Sequence, residues 1–247
     1  ISLLIFAGIV TTLPTAVQRL ILTFDPAQLI QMIVFALLAI VTIMGVVALT
    51  EAQRNIPVSY ARRVRGMRMV GGLDTHLPLR VNMAGVIPII FAISIILFPP
   101  MVSQFFIRAK TVWIAGLADW TIQLFQNQLF YAIIYFVLVV AFTYFYTAVV
   151  FQPNQIAENL QKQGGFIPGI RPGRATAEYL SFVTNRIISA GAIFLGVIAI
   201  LPLVASQLTG SAGLSIGGTS LLIVVSVVIE TVKQIQSQLT MREYEGL

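Results

Sequence analysis

Long uncharged, apolar runs alternate with short charged segments along the whole chain. A bilayer core of about 30 Å is crossed by about 20 apolar helical residues, and a central charge costs roughly 2.5–3.5 kcal/mol. Charge-free runs are therefore read as spans, and Pro202 with the Gly-, Ser- and Thr-rich segment 206–219 divides the last run into two. The pattern predicts an all-α polytopic membrane protein with six transmembrane helices, at residues 1–18, 27–50, 81–101, 128–151, 186–205 and 218–238.

The segments between the predicted spans differ sharply in charge. Of the 15 Lys and Arg residues, twelve lie in or beside every second segment and three lie in the intervening ones. Short loops rich in Lys and Arg stay on the cytoplasmic side during insertion. Both ends of the chain should then be cytoplasmic, which agrees with an even number of spans. We assign residues 51–80, 152–185 and 239–247 to the cytoplasm and residues 19–26, 102–127 and 206–217 to outer loops.

Composition excludes several classes of protein. With 57% hydrophobic and 10% charged residues, a soluble domain would have too little polar surface, and the absence of cysteine excludes disulfides and thiolate metal sites. The span centres carry no ionisable residue, which disfavours an ion-coupled pump. The single histidine, His76, lacks converging ligands or a nucleophile and is read as a solvated loop residue. We expect neither an enzyme nor a bound cofactor.

The outer loop 102–127 contains apolar and aromatic residues among polar ones, including Trp113 and Trp120. Trp favours the depth of the lipid headgroups. Two interpretations remain open at this point. The loop is either an amphipathic segment lying in the membrane interface or a plain loop with two anchoring Trp residues.

The first cytoplasmic loop concentrates positive charge. Four arginines fall within seven residues, and such a cluster repels itself unless an anionic surface lies opposite. The candidates are lipid headgroups, an acidic protein face or RNA phosphate, and the alternative is that the arginines only set topology. The cluster consists of Arg62, Arg63, Arg65 and Arg68.

The second cytoplasmic loop contains an amphipathic stretch, 156–163, followed by two Pro-Gly steps. Pro fixes φ and Gly tolerates positive φ, so the steps predict two successive turns with Arg171 between them. A stiff tip loses little entropy when a partner binds it. The segment 166–173, which we call the Pro-Gly tip, is therefore a candidate docking site, although a tight connection would look the same.

Three segments give the chain a resemblance to a known family. They are Thr75-His-Leu-Pro-Leu-Arg-Val-Asn-Met-Ala-Gly-Val-Ile-Pro88, the Pro-Gly tip, and Gly217-Gly-Thr-Ser-Leu-Leu-Ile-Val224. On these residues the chain resembles the bacterial SecY family, the channel subunits of the general protein translocase. The resemblance implies half of a pseudo-symmetric channel. Our six spans would correspond to the fifth to tenth of ten, with the first four spans and the plug missing.

The resemblance also implies roles for individual residues. A ring of aliphatic side chains at the pore waist would include Ile1, Ile5, Ile90 and Ile223. The third span would line the lateral gate, with a hinge at Gly85 and Pro88, because Pro88 would remove a helix hydrogen bond. The residues implied to dock a ribosome or the SecA ATPase are Arg62, Arg63, Arg65, Arg68, Arg171 and Arg174.

The function implied is that of the central pore-forming subunit of the translocase. It would conduct unfolded preproteins across the bacterial inner membrane and pass membrane helices into it. The implied partners are SecE, SecG, the SecA ATPase, the ribosome, signal sequences and membrane lipids. The alternative is a small-solute secondary transporter, which would need a polar site at the midplane.

Overall fold

The computed structural model describes six helices and five strands. The helices are α1 (Leu29–Glu51), α2 (Ile87–Phe106), α3 (Val112–Gln126), α4 (Gln128–Val150), α5 (Pro153–Lys162) and α6 (Arg174–Thr209). The strands are β1 (Gln53–Tyr60), β2 (Arg63–Arg65), β3 (Arg68–Val70), β4 (Asp74–Arg80) and β5 (Gly165–Phe166). The residues described are 11, 29–60, 63–65, 68–70, 74–85, 87–107, 111–209, 227–229, 231–232, 235–236 and 238–239.

Four of the predicted spans coincide with helices. Within the described residues, three helical segments are long and apolar enough to cross a membrane, and a shorter apolar helix runs from Ala36 to Glu51. The four helices concerned are α1, α2, α4 and α6. The predicted span 1–18, apart from residue 11, and most of the span 218–238 lie outside the described residues. The described part of the chain therefore supports a multi-span helical protein without fixing the number six.

Two helices begin at places that differ from the predicted spans. Helix α2 begins at Ile87 rather than near residue 81, because the Asn82 side-chain amide donates a hydrogen bond to the Gly85 carbonyl (3.2 Å) and Gly85 has a φ of 64°. Helix α6 begins at Arg174, well before the predicted start at residue 186. The last charged residue before an apolar run marks the limit of the segment that can lie in lipid. It does not mark the first residue of the helix.

The apolar helices pack around a shared core, which we call the helix cluster. Its buried residues come from α1, α2, α4 and α6 together with Val227. Lipid is as apolar as these side chains, so moving them from lipid into the helix cluster adds little to its stability. Close packing of small residues stabilises the cluster more. At Gly196, for example, an added Cβ would lie 2.7 Å from the Phe136 ring. The buried members are Val46, Leu49, Ile89, Ala92, Ile96, Tyr135, Val139, Leu195, Ile198, Ala199 and Val227.

The segment between α2 and α4 is a helix, α3, rather than a plain loop. Asn127 separates it from α4 and caps the latter, because its side-chain oxygen accepts hydrogen bonds from the backbone N–H groups of Leu129 (3.1 Å) and Phe130 (3.4 Å). Of the two interpretations left open for residues 102–127, the plain loop is wrong.

The prediction of an all-α chain requires correction in the basic loops. Strands β4, β1 and β5 form an antiparallel sheet in that order, and β2 pairs with β3. In β1, Ile56 and Val58 are buried while Asn55 and Pro57 are exposed, which is the period of two that a half-buried strand requires. The loop 51–80 therefore folds because it has an apolar face of its own.

A second core, the sheet cluster, lies beneath this sheet. It joins β1 and β4 to α5, the Pro-Gly tip and the first half of α6. Helix α6 has 36 residues, a length of about 54 Å, which exceeds the bilayer core of about 30 Å. Its early residues enter the sheet cluster and its later residues enter the helix cluster. One continuous helix therefore connects the two cores. The buried members of the sheet cluster are Ile56, Val58, Leu79, Leu160, Ile167, Leu180 and Val183.

Gly191 marks the closest approach of α6 to the chain before α2, and we expect its replacement by Ala to destabilise the protein. A Cβ at this position would lie 2.9 Å from the Val81 carbonyl oxygen and 3.0 Å from Val81 Cγ1. The Val81 backbone cannot easily move, because its N–H donates to the Ala52 carbonyl (2.9 Å). Overpacking of this kind costs about 1–3 kcal/mol. The measurement is thermal unfolding of the protein in detergent.

Gly116→Ala provides the matched control. Gly116 lies in α3, and a Cβ there would meet no atom within 4 Å. Ala exceeds Gly in helix propensity by up to about 1 kcal/mol, so this variant should unfold at the same or a higher temperature. Equal destabilisation by the two substitutions would contradict the packing described for α6.

Candidate functional site

The Pro-Gly tip consists of two tight turns. The N–H of Ile170 donates to the carbonyl of Ile167 (3.0 Å), with Pro168 and Gly169 between them. Gly169 has a φ of 83° and Gly173 has a φ of 97°, conformations that favour glycine. The first turn has the pattern of a type II turn, with Pro at the second position and Gly at the third. The two successive turns predicted from the sequence are confirmed.

Contacts before and after Arg171 hold the tip in place. The Ile167 side chain is buried in that cluster, and Ile170 packs against it. The Thr176 hydroxyl, which is also buried, donates to the Arg171 carbonyl (2.9 Å). Thr176 was not identified from the sequence. Its position as the third residue of a helix that follows a Pro-Gly turn is the pattern that indicates such a contact. The backbone of Arg171 is thus fixed while its side chain is exposed.

The charges near the tip are not equivalent. Arg174 Nε lies 3.0 Å from Glu178 Oε1, and Lys162 Nζ lies 2.7 Å from Glu158 Oε1. The hydrogen bond and charge of Lys162 lower the pKa of the Glu158 carboxyl. Within the described residues, no carboxylate lies within 4 Å of the Arg171 guanidinium. Arg171 is therefore the cation of the tip whose charge is available to a partner.

The structure brings the two basic loops together. Strand β1 from the first loop pairs with β5 from the second, with Ser59 opposite Phe166 and Tyr60 opposite Gly165. The contact is close at Gly165, where an added Cβ would lie 3.0 Å from the Tyr60 ring. The Pro-Gly tip and the arginine-rich segment both follow directly from this pairing. We call the sheet β4-β1-β5 with the tip the sheet platform.

Three residues of the arginine cluster lie on the paired strands β2 and β3, which follow β1 in the chain. Arg65 pairs with Arg68 and Arg63 pairs with Val70 in the register of β2 and β3. Directly opposite residues, and every second residue along a strand, occupy one face of an antiparallel ribbon. Three of the four arginines therefore hold positions on one face. Arg62 lies outside the described residues.

The residues implied for a pore ring are only partly described. Ile90 lies in α2, where it is half-buried and packs against the helix cluster, next to the fully buried Ile89. Ile1, Ile5 and Ile223 lie outside the described residues, so their distances to Ile90 remain untested. The ring stays a prediction.

The reason given for a hinge at Pro88 is wrong, because Pro88 is the second residue of α2. The first four N–H groups of a helix have no partner within it, so Pro88 removes no hydrogen bond that the helix would make. Gly85, with a φ of 64°, forms the turn before the helix. The prolines inside α2 are Pro99 and Pro100. Their position within an uncharged run of the sequence is the pattern that indicates a bend in this helix.

The apolar helices bury few polar side chains. The uncharged segments of α1, α2, α4 and α6 bury Thr42, Ser103, Thr143 and Thr147. The hydroxyls of Thr42, Thr143 and Thr147 donate to backbone carbonyls of their own helices. His76 is exposed on β4, and the described residues contain no group of His, Asp and Glu that could hold a metal ion. These groups offer little for coordinating an ion or catalysing a reaction.

The fold is similar to that of solved channel structures. A structure described as that of a protein conducting channel has a TM-score of 0.54 and 19% identity, with 91% of this chain and 53% of that chain covered. A structure of the SecY protein, described by its plug domain and the closed state of the translocation channel, has a TM-score of 0.58 and 20% identity. It covers 96% of this chain and 59% of that chain. At this identity the likeness concerns the fold.

The amino-acid sequence is similar to those of bacterial SecY subunits. Protein translocase subunit SecY of Corynebacterium glutamicum is 45% identical, with 100% of this chain and 57% of the relative covered. The SecY subunits of Mycobacterium bovis (46%; 99% and 56%) and Halalkalibacterium halodurans (43%; 100% and 58%) are similar. The chain thus spans a little over half the length of these relatives. A family model described as SecY matches residues 1–232, and the apolar helices agree with a multi-pass membrane protein. The chain belongs to the SecY family.

Proposed function

We propose that the chain forms one half of a protein-conducting channel. In this proposal it contributes the fifth to tenth spans of the pore-forming subunit, in the inner membrane of a bacterium, with both of its ends cytoplasmic. The channel conducts unfolded preproteins across the membrane and releases membrane helices into lipid. The observation that carries the proposal is the membership of the SecY family over residues 1–232.

The described helices support a passive conduit over a pump or an enzyme. Ion-coupled transporters keep Asp, Glu, Lys, Arg or His within the membrane, and none of these occurs in the uncharged segments of α1, α2, α4 and α6. Relatives in the family are named as translocase subunits rather than as enzymes. The energy for transport then comes from a partner. A small-solute transporter would need a polar midplane site, and hydroxyls bonded to their own helices supply it poorly.

A ring of Ile90 with Ile1, Ile5 and Ile223 forms the seal of this channel. Branched apolar side chains make no fixed hydrogen bonds, so they close around any sequence and resist water and ions by dewetting. Ile90 is suited to this place because it packs against the helix cluster without being fully buried. The turn at Gly85 is the flexible point next to the lateral gate, which α2 lines.

The sheet platform is the docking surface for the SecA ATPase and the ribosome. Arg171 offers an exposed cation on a fixed backbone, so a partner's carboxylate or phosphate binds with little loss of entropy. Arg65 and Arg68 are directly opposite in the register of β2 and β3, and like charges at such positions destabilise a strand pair unless an anion binds there. We assign Arg62, Arg63 and Arg174 to the same docking role. SecE and SecG complete the complex.

A crosslinking experiment tests the path of the substrate. A photoreactive amino acid replaces Ile90 in the full-length protein, and a preprotein is arrested during transport. We expect a crosslink between position 90 and the preprotein. The matched control is the same group at Ile95, which lies on α2 about 140° away from Ile90 around the helix. Crosslinks from position 95 in place of position 90 would contradict the proposed pore.

A further inference from the structure

Helix α3 (Val112–Gln126) has three distinct faces, each formed by residues at positions i, i+4 and i+7. The first face consists of Ala118, Ile122 and Phe125 and packs inward. Ala118 is buried, and Phe125 packs against the helix cluster. The rings of Phe125 and Phe130 meet edge to face, with their centroids 5.6 Å apart. Residues at this spacing lie on one side of a helix. This face therefore fixes α3 against the two apolar helices that flank it.

The second face is polar. Asp119, Gln123 and Gln126 are all exposed, and Gln123 Nε2 donates to Asp119 Oδ2 (2.8 Å). These side chains have their polar groups directed away from the helix cluster. The face is suited to water.

The third face is apolar and uncovered. The side chains of Trp113, Leu117 and Trp120 are 74%, 47% and 60% exposed. A face of this kind on a helix with a separate polar face is typical of segments that bind a membrane surface. Something other than the described chain must cover it.

Exposed side chains on the neighbouring helices indicate that lipid covers the third face of α3. Met101 and Phe105, in the last turns of α2, and Leu129, in the first turn of α4, are exposed as well. Helix α3 lies between these two helices in the chain, so its third face adds to an exposed apolar surface of the kind that lipid covers. Helix α3 has 15 residues, too few for the roughly 20 that cross a bilayer. It is therefore too short to be a membrane span of its own.

We propose that α3 is an interfacial anchor, with Trp113, Leu117 and Trp120 inserted at the boundary between lipid headgroups and acyl chains. Asp119, Gln123 and Gln126 face water. The amphipathic indole ring suits this depth. Because α3 packs against α2, the anchor also holds the end of α2 at a fixed depth. This inference goes beyond the proposed channel function and depends only on the chain spanning a bilayer.

Intrinsic fluorescence tests the proposal directly, because Trp113 and Trp120 are the two Trp residues of this chain. Any Trp in the rest of the full-length subunit is replaced by Phe. The protein is reconstituted into vesicles of phosphatidylcholine and phosphatidylglycerol in which one lipid carries bromine at a known depth. We expect a blue-shifted emission that loses most of its intensity with bromine near the headgroup. Bromine near the ends of the acyl chains, and aqueous iodide, should quench it much less.

A control variant places the probe on the polar face. In the background of Trp113→Phe and Trp120→Phe, Gln126→Trp carries the single indole at an exposed position of that face. Its emission should be red-shifted and quenched by iodide rather than by brominated lipid. The opposite behaviour of the two probes on one helix would establish which face meets lipid.

Three results would overturn the anchor. Iodide quenching of the native Trp residues would place the third face in water. Protection from both quenchers would place it against protein, including a second copy of the chain. Stronger quenching by bromine near the ends of the acyl chains would place α3 inside the hydrocarbon rather than at its boundary. None of these readings depends on transport, so the anchor and the proposed channel function fail independently.

Discussion

Arg171→Glu is expected to abolish motor-driven export of a preprotein while the protein remains folded in the membrane. The side chain is exposed and its backbone is fixed by the Thr176 hydroxyl (2.9 Å), so the substitution reverses a charge without disturbing the core. Loss of a buried charge contact at an interface costs about 2–5 kcal/mol, which is at least about 30-fold in affinity. A reversed charge adds repulsion to that loss.

The measurement is the initial rate of ATP-dependent preprotein uptake into inverted membrane vesicles, together with the binding of the motor. Lys162→Glu is the matched control, because it changes the net charge equally in the same loop. Lys162 is already paired with Glu158 (2.7 Å), so its replacement should leave uptake nearly unchanged. Normal uptake by the Arg171 variant would refute the docking role, and equal loss in both variants would show a general charge effect instead.

Ile90→Asn is expected to loosen the seal of the channel. An amide in place of a branched apolar side chain holds water, so the constriction no longer excludes ions by dewetting. Ile90 is half-buried, and its neighbour Ile89 forms the fully buried part of the packing, so the fold should survive. The expected results are a higher ion conductance of the resting channel and export of a preprotein with a defective signal sequence.

Ile95→Asn separates the effect on the pore from the cost of a polar residue in α2. Ile95 lies about 140° from Ile90 around the same helix, so its replacement carries a similar insertion penalty away from the proposed ring. Single-channel conductance and the export of signal-defective preproteins should match those of the unmodified protein. If the two variants leak equally, or if neither leaks, Ile90 has no place in the seal.

Local patterns in the sequence predicted much of the fold. Uncharged runs located α1, α2, α4 and α6, since the physical requirement of a span is a length of apolar residues. The Pro-Gly steps predicted the turns at Gly169 and Gly173, since positive φ is a property of single residues. The start of α6 at Arg174 was missed because charge marks the limit of the lipid rather than the limit of the helix.

The sheet platform could not be predicted in the same way. The alternation of Ile56 and Val58, and of Leu77 and Leu79, was visible in the sequence as a strand pattern within a loop. The pairing of Tyr60 with Gly165, however, joins residues far apart in the chain, and no local pattern specifies such a contact. That pairing unites the two basic loops in one surface. The charges of the candidate site were predictable, but their assembly was not.

We propose that the complete subunit conducts polypeptides rather than small solutes, and reconstitution tests this most directly. The full-length protein, purified with SecE and SecG, is reconstituted into vesicles and supplied with SecA and ATP. We expect a labelled preprotein to become protected from external protease in an ATP-dependent manner, while labelled small solutes show no concentrative uptake. Concentrative uptake of a solute by vesicles that never protect a preprotein would contradict it.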